Sequence, residues 1–194
     1  MAPPEPPTFD SLRALSFREL HAVIDRCAPV DPAELVGWEW RGANQYPHPV
    51  ATFIAWLVNS RRFAKGFFRF AGEGDVYGYN IDIVPSADPA APWADRIVNG
   101  KPLRRRFFRV YGAGAGRRRG KHEGACFLDY SEARPVVSGV FDGGGLRDFV
   151  GRPDPRNPDL LVGCAYQEVG PLWTEGSAFV LERWRKHELN PHDP

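Results

Sequence analysis

The chain has 194 residues, 43% of them hydrophobic, with 25 Lys or Arg set against 24 Asp or Glu. This is the composition of one globular domain, and its balanced charge provides no overall field to attract nucleic acid or an anionic membrane. Cys27, Cys126 and Cys164 have neither metal-ligand spacing nor an even disulfide framework, so reduced thiols in a cytoplasmic protein are expected.

The opening MAPPEPPTFD lacks the basic and apolar regions of a signal peptide. No apolar run approaches the roughly 20 residues of a transmembrane helix. Residues 1–8 read as a disordered Pro-rich tail, 9–188 as a single α+β barrel-like domain and 189–194 as a frayed end. In FDSLRALSFRELHAVIDRCA, Leu12, Leu15, Leu20, Val23, Ile24 and Cys27 approximate a helical stripe, and Ser16 with Glu19 has capping-box spacing. One helix or two short ones should end before Pro29. Asp31-Pro32 can cap a further helical turn.

After Gly37, Trp38 and Trp40 alternate with Glu39 and Arg41, as in a strand with both indoles on one face. HPVATFIAWLVNSRRFAKG then predicts a helix of about four turns closed by Gly66. From there the chain becomes β-rich. VYGYNIDIV sets Tyr77, Tyr79, Ile81 and Ile83 on one face and Gly78, Asn80 and Asp82 on the other. Further strands are predicted in LRRRFFRVYG, GACFLDYS, PVVSGVFD, GLRDFVG, DLLVGCAYQEV and SAFVLERWRK, which with the Trp38 segment and FFRFAG as an optional strand gives eight or nine in all. Many short strands at this spacing predict an antiparallel sheet that closes or bends strongly on itself.

GAGAGRRRGKHEG, residues 112–124, fails both phosphate-loop patterns. Ala115 and His122 occupy positions that need Gly and a hydroxyl, and a strand follows where a helix is required. It reads as a solvated hairpin connection. Arg117, Arg118, Arg119 and Lys121 are candidates for an anion or membrane-surface contact. Among the histidines His21 reads as a helix-boundary residue, and none has metal-site spacing, so no metal is expected.

LVGWEWRG near the start and FVLERWRK near the end resemble the first and last strands of lipocalin-like (calycin) ligand-binding barrels, in which a basic residue packs over a tryptophan. The resemblance implies barrel-closing roles for Trp38 or Trp40 with Arg183 or Arg185. Trp40-Arg41-Gly42 also resembles part of the motif of heme-binding nitrobindin-like barrels and of small bacterial barrel proteins. That likeness implies heme as an optional cofactor, with His48 or His122 as axial ligand; otherwise no cofactor is expected. An eight-stranded barrel has room for packed side chains or one small ligand. The expected function is therefore binding of a small hydrophobic or amphipathic partner such as a fatty acid, retinoid or heme-like molecule. Tyr77, Tyr79, Ile81, Ile83, Phe108 and Tyr166 are the candidate contacts. The alternatives are an enzyme using cavity carboxylates or histidines, with no catalytic residue assignable, and an interaction module with basic loops.

Overall fold

The structure is a computed structural model, and it describes residues 5–48, 61–86, 88, 90–116, 121–133 and 145–187. Three short helices precede the sheet. Helix α1 (Phe9–Arg13) has Thr8 as its N-cap, with the Thr8 and Ser11 side chains bonding reciprocally to backbone N–H groups. Helix α2 (Phe17–Ile24) carries the Ser16/Glu19 capping box, and α3 (Pro32–Leu35) starts on the Asp31 side chain with Pro at its first position. These caps satisfy N–H groups that have no partner within the first helical turn.

Ten strands follow among the described residues. They are β1 (Trp38–Gln45), β2 (Arg62–Phe68), β3 (Val76–Asp82), β4 (Ile97–Val98), β5 (Lys101–Pro102), β6 (Arg104–Tyr111), β7 (Cys126–Asp129), β8 (Leu146–Gly151), β9 (Leu160–Val169) and β10 (Leu172–Lys186). Eight of them close into an antiparallel barrel in the order β1-β10-β9-β8-β7-β6-β3-β2, while β4 and β5 form a separate two-stranded sheet. This is the closed α+β barrel expected from the sequence, consistent with calycin-like architecture. No helix among the described residues is long and apolar enough to cross a membrane.

One prediction is corrected in part. Residues 62–66, assigned to the end of a helix closed by Gly66, belong to β2 and pair with β1 and β3. Both faces of this strand are buried from Ala64 onward, so it shows no alternation, and its apolar run reads equally well as a helix flank. Residues 49–60 of that helix, and the strand predicted in PVVSGVFD, lie outside the described residues.

The barrel interior is identified by its membership. One buried cluster draws Trp40, Phe67, Val76, Phe108, Leu128, Val150, Leu161 and Phe179 from all eight barrel strands, and only the inside of a closed sheet can assemble such a set. Leu35 and Val30 join it from α3 and the segment before it. On the outside, Phe9 and Leu12 of α1 and Leu20 of α2 pack on Leu160, Val162, Ala178 and Val180 of β9 and β10. The face of β9 that carries Leu161, Gly163 and Ala165 is therefore the inner one, and the opposite face receives the helices.

Candidate functional site

The two ends of the interior are finished differently. At one end the Arg183 guanidinium carbon lies 4.8 Å from the Trp38 ring centre and 5.2 Å from that of Trp40, and Lys186 Nζ stands 3.6 Å from Trp38. Arg185 points elsewhere, bonding Glu39 Oε2 at 2.6 Å and Asp95 Oδ2 and covering Trp184 at 4.0 Å. A guanidinium over an indole gains cation–π attraction while covering apolar surface.

At the other end lies a cavity of about 260 Å³, bordered by Lys65, Asn80, Arg106, Tyr130, Asp148 and Phe179, with Asn44, Arg62, Asp82, Arg105 and Gln167 nearer its rim. Its floor is a buried ionic network. Lys65 Nζ donates to Asn80 Oδ1 at 2.9 Å, Tyr130 Oη at 2.6 Å and Asp148 Oδ2 at 2.8 Å, using all three ammonium protons. Tyr130 Oη in turn donates to Asp148 Oδ2 at 2.8 Å. Four rings surround the ammonium: Phe63, Phe108, Tyr130 and Phe179, with centres 5.0 to 5.5 Å away.

Glycines make this packing sterically feasible. A Cβ on Gly78 would stand 2.3 Å from the Phe108 ring, and one on Gly163 2.4 Å from the Phe179 ring. The small residues inside β3 and β9 thus admit aromatic rings beside Lys65, and those rings narrow the space left for a ligand.

Burial pulls the Lys65 ammonium below its ordinary pKa, with Arg106 adding repulsion, although Asp148 opposes both. Burial and the Asp148 charge push the Tyr130 hydroxyl well up, so it stays a protonated donor. Among the described residues Asp148 Oδ1 is buried without a hydrogen-bond partner and remains an acceptor. At the rim Arg105 Nε bonds Asp82 Oδ1 at 2.6 Å. Arg106 takes φ 52°, in the left-handed region, and among the described residues it has no ion-pair partner. Among the described residues the cavity therefore carries a surplus of positive charge beyond the Lys65–Asp148 and Arg105–Asp82 pairs.

The sequence-selected contacts divide. Phe108 lies inside, against the Lys65 ammonium. Tyr77, Tyr79, Ile81 and Ile83 face outward, packing with Phe68, Phe107, Trp93 and Trp184, so their assignment to the barrel interior is corrected. Both faces of β3 are buried, and the polar face turns inward because Asn80 is needed by Lys65. Tyr79 Oη donates to the buried carboxylate of Glu39 at 2.9 Å on this outer side. Tyr166 is also outside the wall, packed with Ile24, Phe127, Phe149 and Cys164.

Residues 112–125 connect antiparallel β6 and β7, with Gly114 N–H bonding Glu123 O at 2.9 Å. Arg117, Arg118 and Arg119 lie outside the described residues, while Lys121 Nζ sits 4.6 Å from the Tyr166 ring centre. His48 is exposed beyond β1, and His122 lies outside the barrel near Tyr166. Sequence reasoning missed Lys65 and Tyr130 and left Asp148 among the unassigned cavity carboxylates. The one local signal was a lone lysine between Ala64 and Gly66 in an otherwise aromatic run.

No protein-family model matches this sequence. No curated protein and no solved structure matches it either, so the likeness to calycins rests on barrel architecture and on the paired end strands.

Proposed function

We propose that the protein binds a small amphipathic molecule with an anionic head, such as a short or medium-chain carboxylate, in the Lys65 end of the barrel. The observation that carries this reading is the buried Lys65–Tyr130–Asp148–Asn80 network at the floor of an aromatic-walled cavity with Arg106 on its border. A buried ion pair is weak evidence for stability, because well-packed apolar residues do as well or better. Its presence inside a barrel that could be filled with apolar side chains supports a binding role.

The tail of such a ligand would contact Phe63, Phe179 and Ala165, and its carboxylate would meet Arg106. A hydroxyl elsewhere on the head would find an acceptor in Asp148 Oδ1. Burying about 200 Å² of apolar ligand surface gains roughly 5 kcal/mol before entropic costs, consistent with micromolar binding. The cavity is smaller than the roughly 300 Å³ at which drug-sized pockets begin, which favours small acids over retinoids or heme.

Isothermal titration calorimetry with octanoate, octanol, retinol and heme tests the proposal. Saturable one-to-one binding of octanoate, weakened about tenfold by Arg106→Gln, is expected, with octanol weaker. Octanoate binding that is unchanged when Phe179→Trp fills the cavity would reject it.

A second reading, general acid–base catalysis in the same cavity, draws on Tyr130 held protonated between Lys65 and a carboxylate with one unused oxygen. Time-resolved NMR of bound candidate acids separates the two. Conversion that stops in Tyr130→Phe while binding persists favours catalysis, and an unchanged ligand favours simple binding.

A further inference from the structure

A second polar cluster lies outside the barrel wall, independent of the cavity. Helix α2 supplies His21, the β6–β7 connection supplies His122, and β9 supplies Cys164. We infer that His21, His122 and Cys164 form a binding site for one zinc-class divalent cation, with the Tyr166 hydroxyl or a water on its fourth side.

The donor atoms already converge. One nitrogen from each histidine and the cysteine sulfur all lie within 4.8 Å of one another. Cys164 Sγ is 3.4 Å from His122 Nε2, and Tyr166 Oη is 2.8 Å from that nitrogen and 3.0 Å from His21 Nε2. Tetrahedral zinc, with bonds of about 2.0–2.1 Å to nitrogen and about 2.3 Å to sulfur, separates its donors by roughly 3.3–3.7 Å. The contacts now made as hydrogen bonds would open slightly, and the widest separation would close by about 1 Å, within the reach of side-chain rotation.

The surroundings fit a metal. Asp25 Oδ1 is 2.7 Å from His122 Nδ1, the carboxylate–histidine arrangement that fixes a ligand's tautomer and aims its other nitrogen at the ion. His122 holds φ 43°, a left-handed conformation uncommon outside glycine, and its carbonyl accepts from Ala125 N–H at 2.8 Å. Glu175 approaches His21 Nε2 to 3.9 Å, so two nearby carboxylates offset the charge of a divalent ion bound by one thiolate and two neutral imidazoles. Binding replaces the thiol proton with the metal and releases that proton to solvent. The His21 side chain is 20% exposed and provides the entry side, whereas Cys164 is fully buried.

The line Cys164–His122–Asp25 also has the order of a nucleophile, base and orienting acid. Full burial of the sulfur shuts substrates out, so the metal reading is preferred.

The test uses untagged full-length protein. Zinc competition against a chromophoric chelator should give one ion per chain. Cobalt should give tetrahedral d–d bands and a thiolate charge-transfer band. His21→Gln, on the solvent side, should weaken zinc binding by more than about 100-fold, and Asp25→Asn by about tenfold. Cys164→Ser should abolish the charge-transfer band with the far-UV circular dichroism retained, and Cys126→Ser should leave it in place. Failure of the wild-type protein to take up zinc or cobalt would overturn the inference. So would uptake that is indifferent to His21→Gln and shows no thiolate band.

Discussion

The two ends of the barrel interior are lined by the same strands, but one is a seal and the other a charged chamber. At the sealed end Trp40, Phe67 and Leu35 fill the space, and Arg183 covers the indoles from outside. At the open end, rings of the same kind surround an ammonium, and a cavity remains beside it. The difference shows that aromatic filling alone does not decide whether a barrel hosts a guest. A buried cation with satisfied partners keeps one end from collapsing into solid core.

Truncation at either end should cost similar stability and have different functional consequences. Lys65→Met leaves Asp148 as an unpaired buried charge and should cost about 3–5 kcal/mol by urea denaturation. Trp40→Ala should cost about 3–5 kcal/mol through the cavity it opens. Adding Asp148→Leu to Lys65→Met should restore much of the lost stability, whereas octanoate binding should be lost in the double variant because the added leucine fills apolar space beside the rings. If the double variant still binds octanoate as wild type does, the functional contrast between the ends is broken.

Tyr130→Phe removes a hydroxyl bonded to two charged groups and should cost about 1.5–3 kcal/mol with the fold intact. Arg183→Met, by contrast, should cost only about 1 kcal/mol, because that guanidinium is partly solvated. Its ligand affinity should match wild type, which sharpens the division between sealing and binding.

The smallest effect expected is with pH. The folded state lowers the Lys65 pKa, so just below the ordinary lysine value of about 10.4 the unfolded chain holds more protons than the native one. This group therefore makes stability rise with pH across that window, and its destabilising contribution is complete below the folded pKa. Tyr130, raised by burial, acts in the opposite sense above about pH 10, so the comparison belongs between about pH 8.5 and 10. Urea midpoints of wild type should climb relative to those of the Lys65→Met/Asp148→Leu variant over this range.

Much of the frame was legible in the sequence because its signals are local. Ser16 and Glu19 announce a capping box three residues apart, and the alternation from Tyr77 to Ile83 marks β3. The resemblance to calycin end strands implied a late basic residue over the early tryptophans, and Arg183 stands over both indoles. Period-two alternation separates two faces without saying which one is enclosed. Tyr77 and Tyr79 therefore looked like wall, although Asn80 is the inward residue. Lys65 finds Asp148 83 residues away, and Cys164 finds His122 at a separation of 42. Only closure of the barrel and the return of the β6–β7 connection over its outer wall bring such partners together.

An amphipathic acid is proposed to lodge beside Lys65 within the barrel. Crystals grown with 8-bromooctanoate test it most directly, because bromine can be located by its anomalous scattering. A bromine peak among Phe63, Ala165 and Phe179, with the carboxylate at Arg106, is the predicted result. Bromine found only outside the barrel wall, with the Lys65 chamber holding water alone, would contradict it.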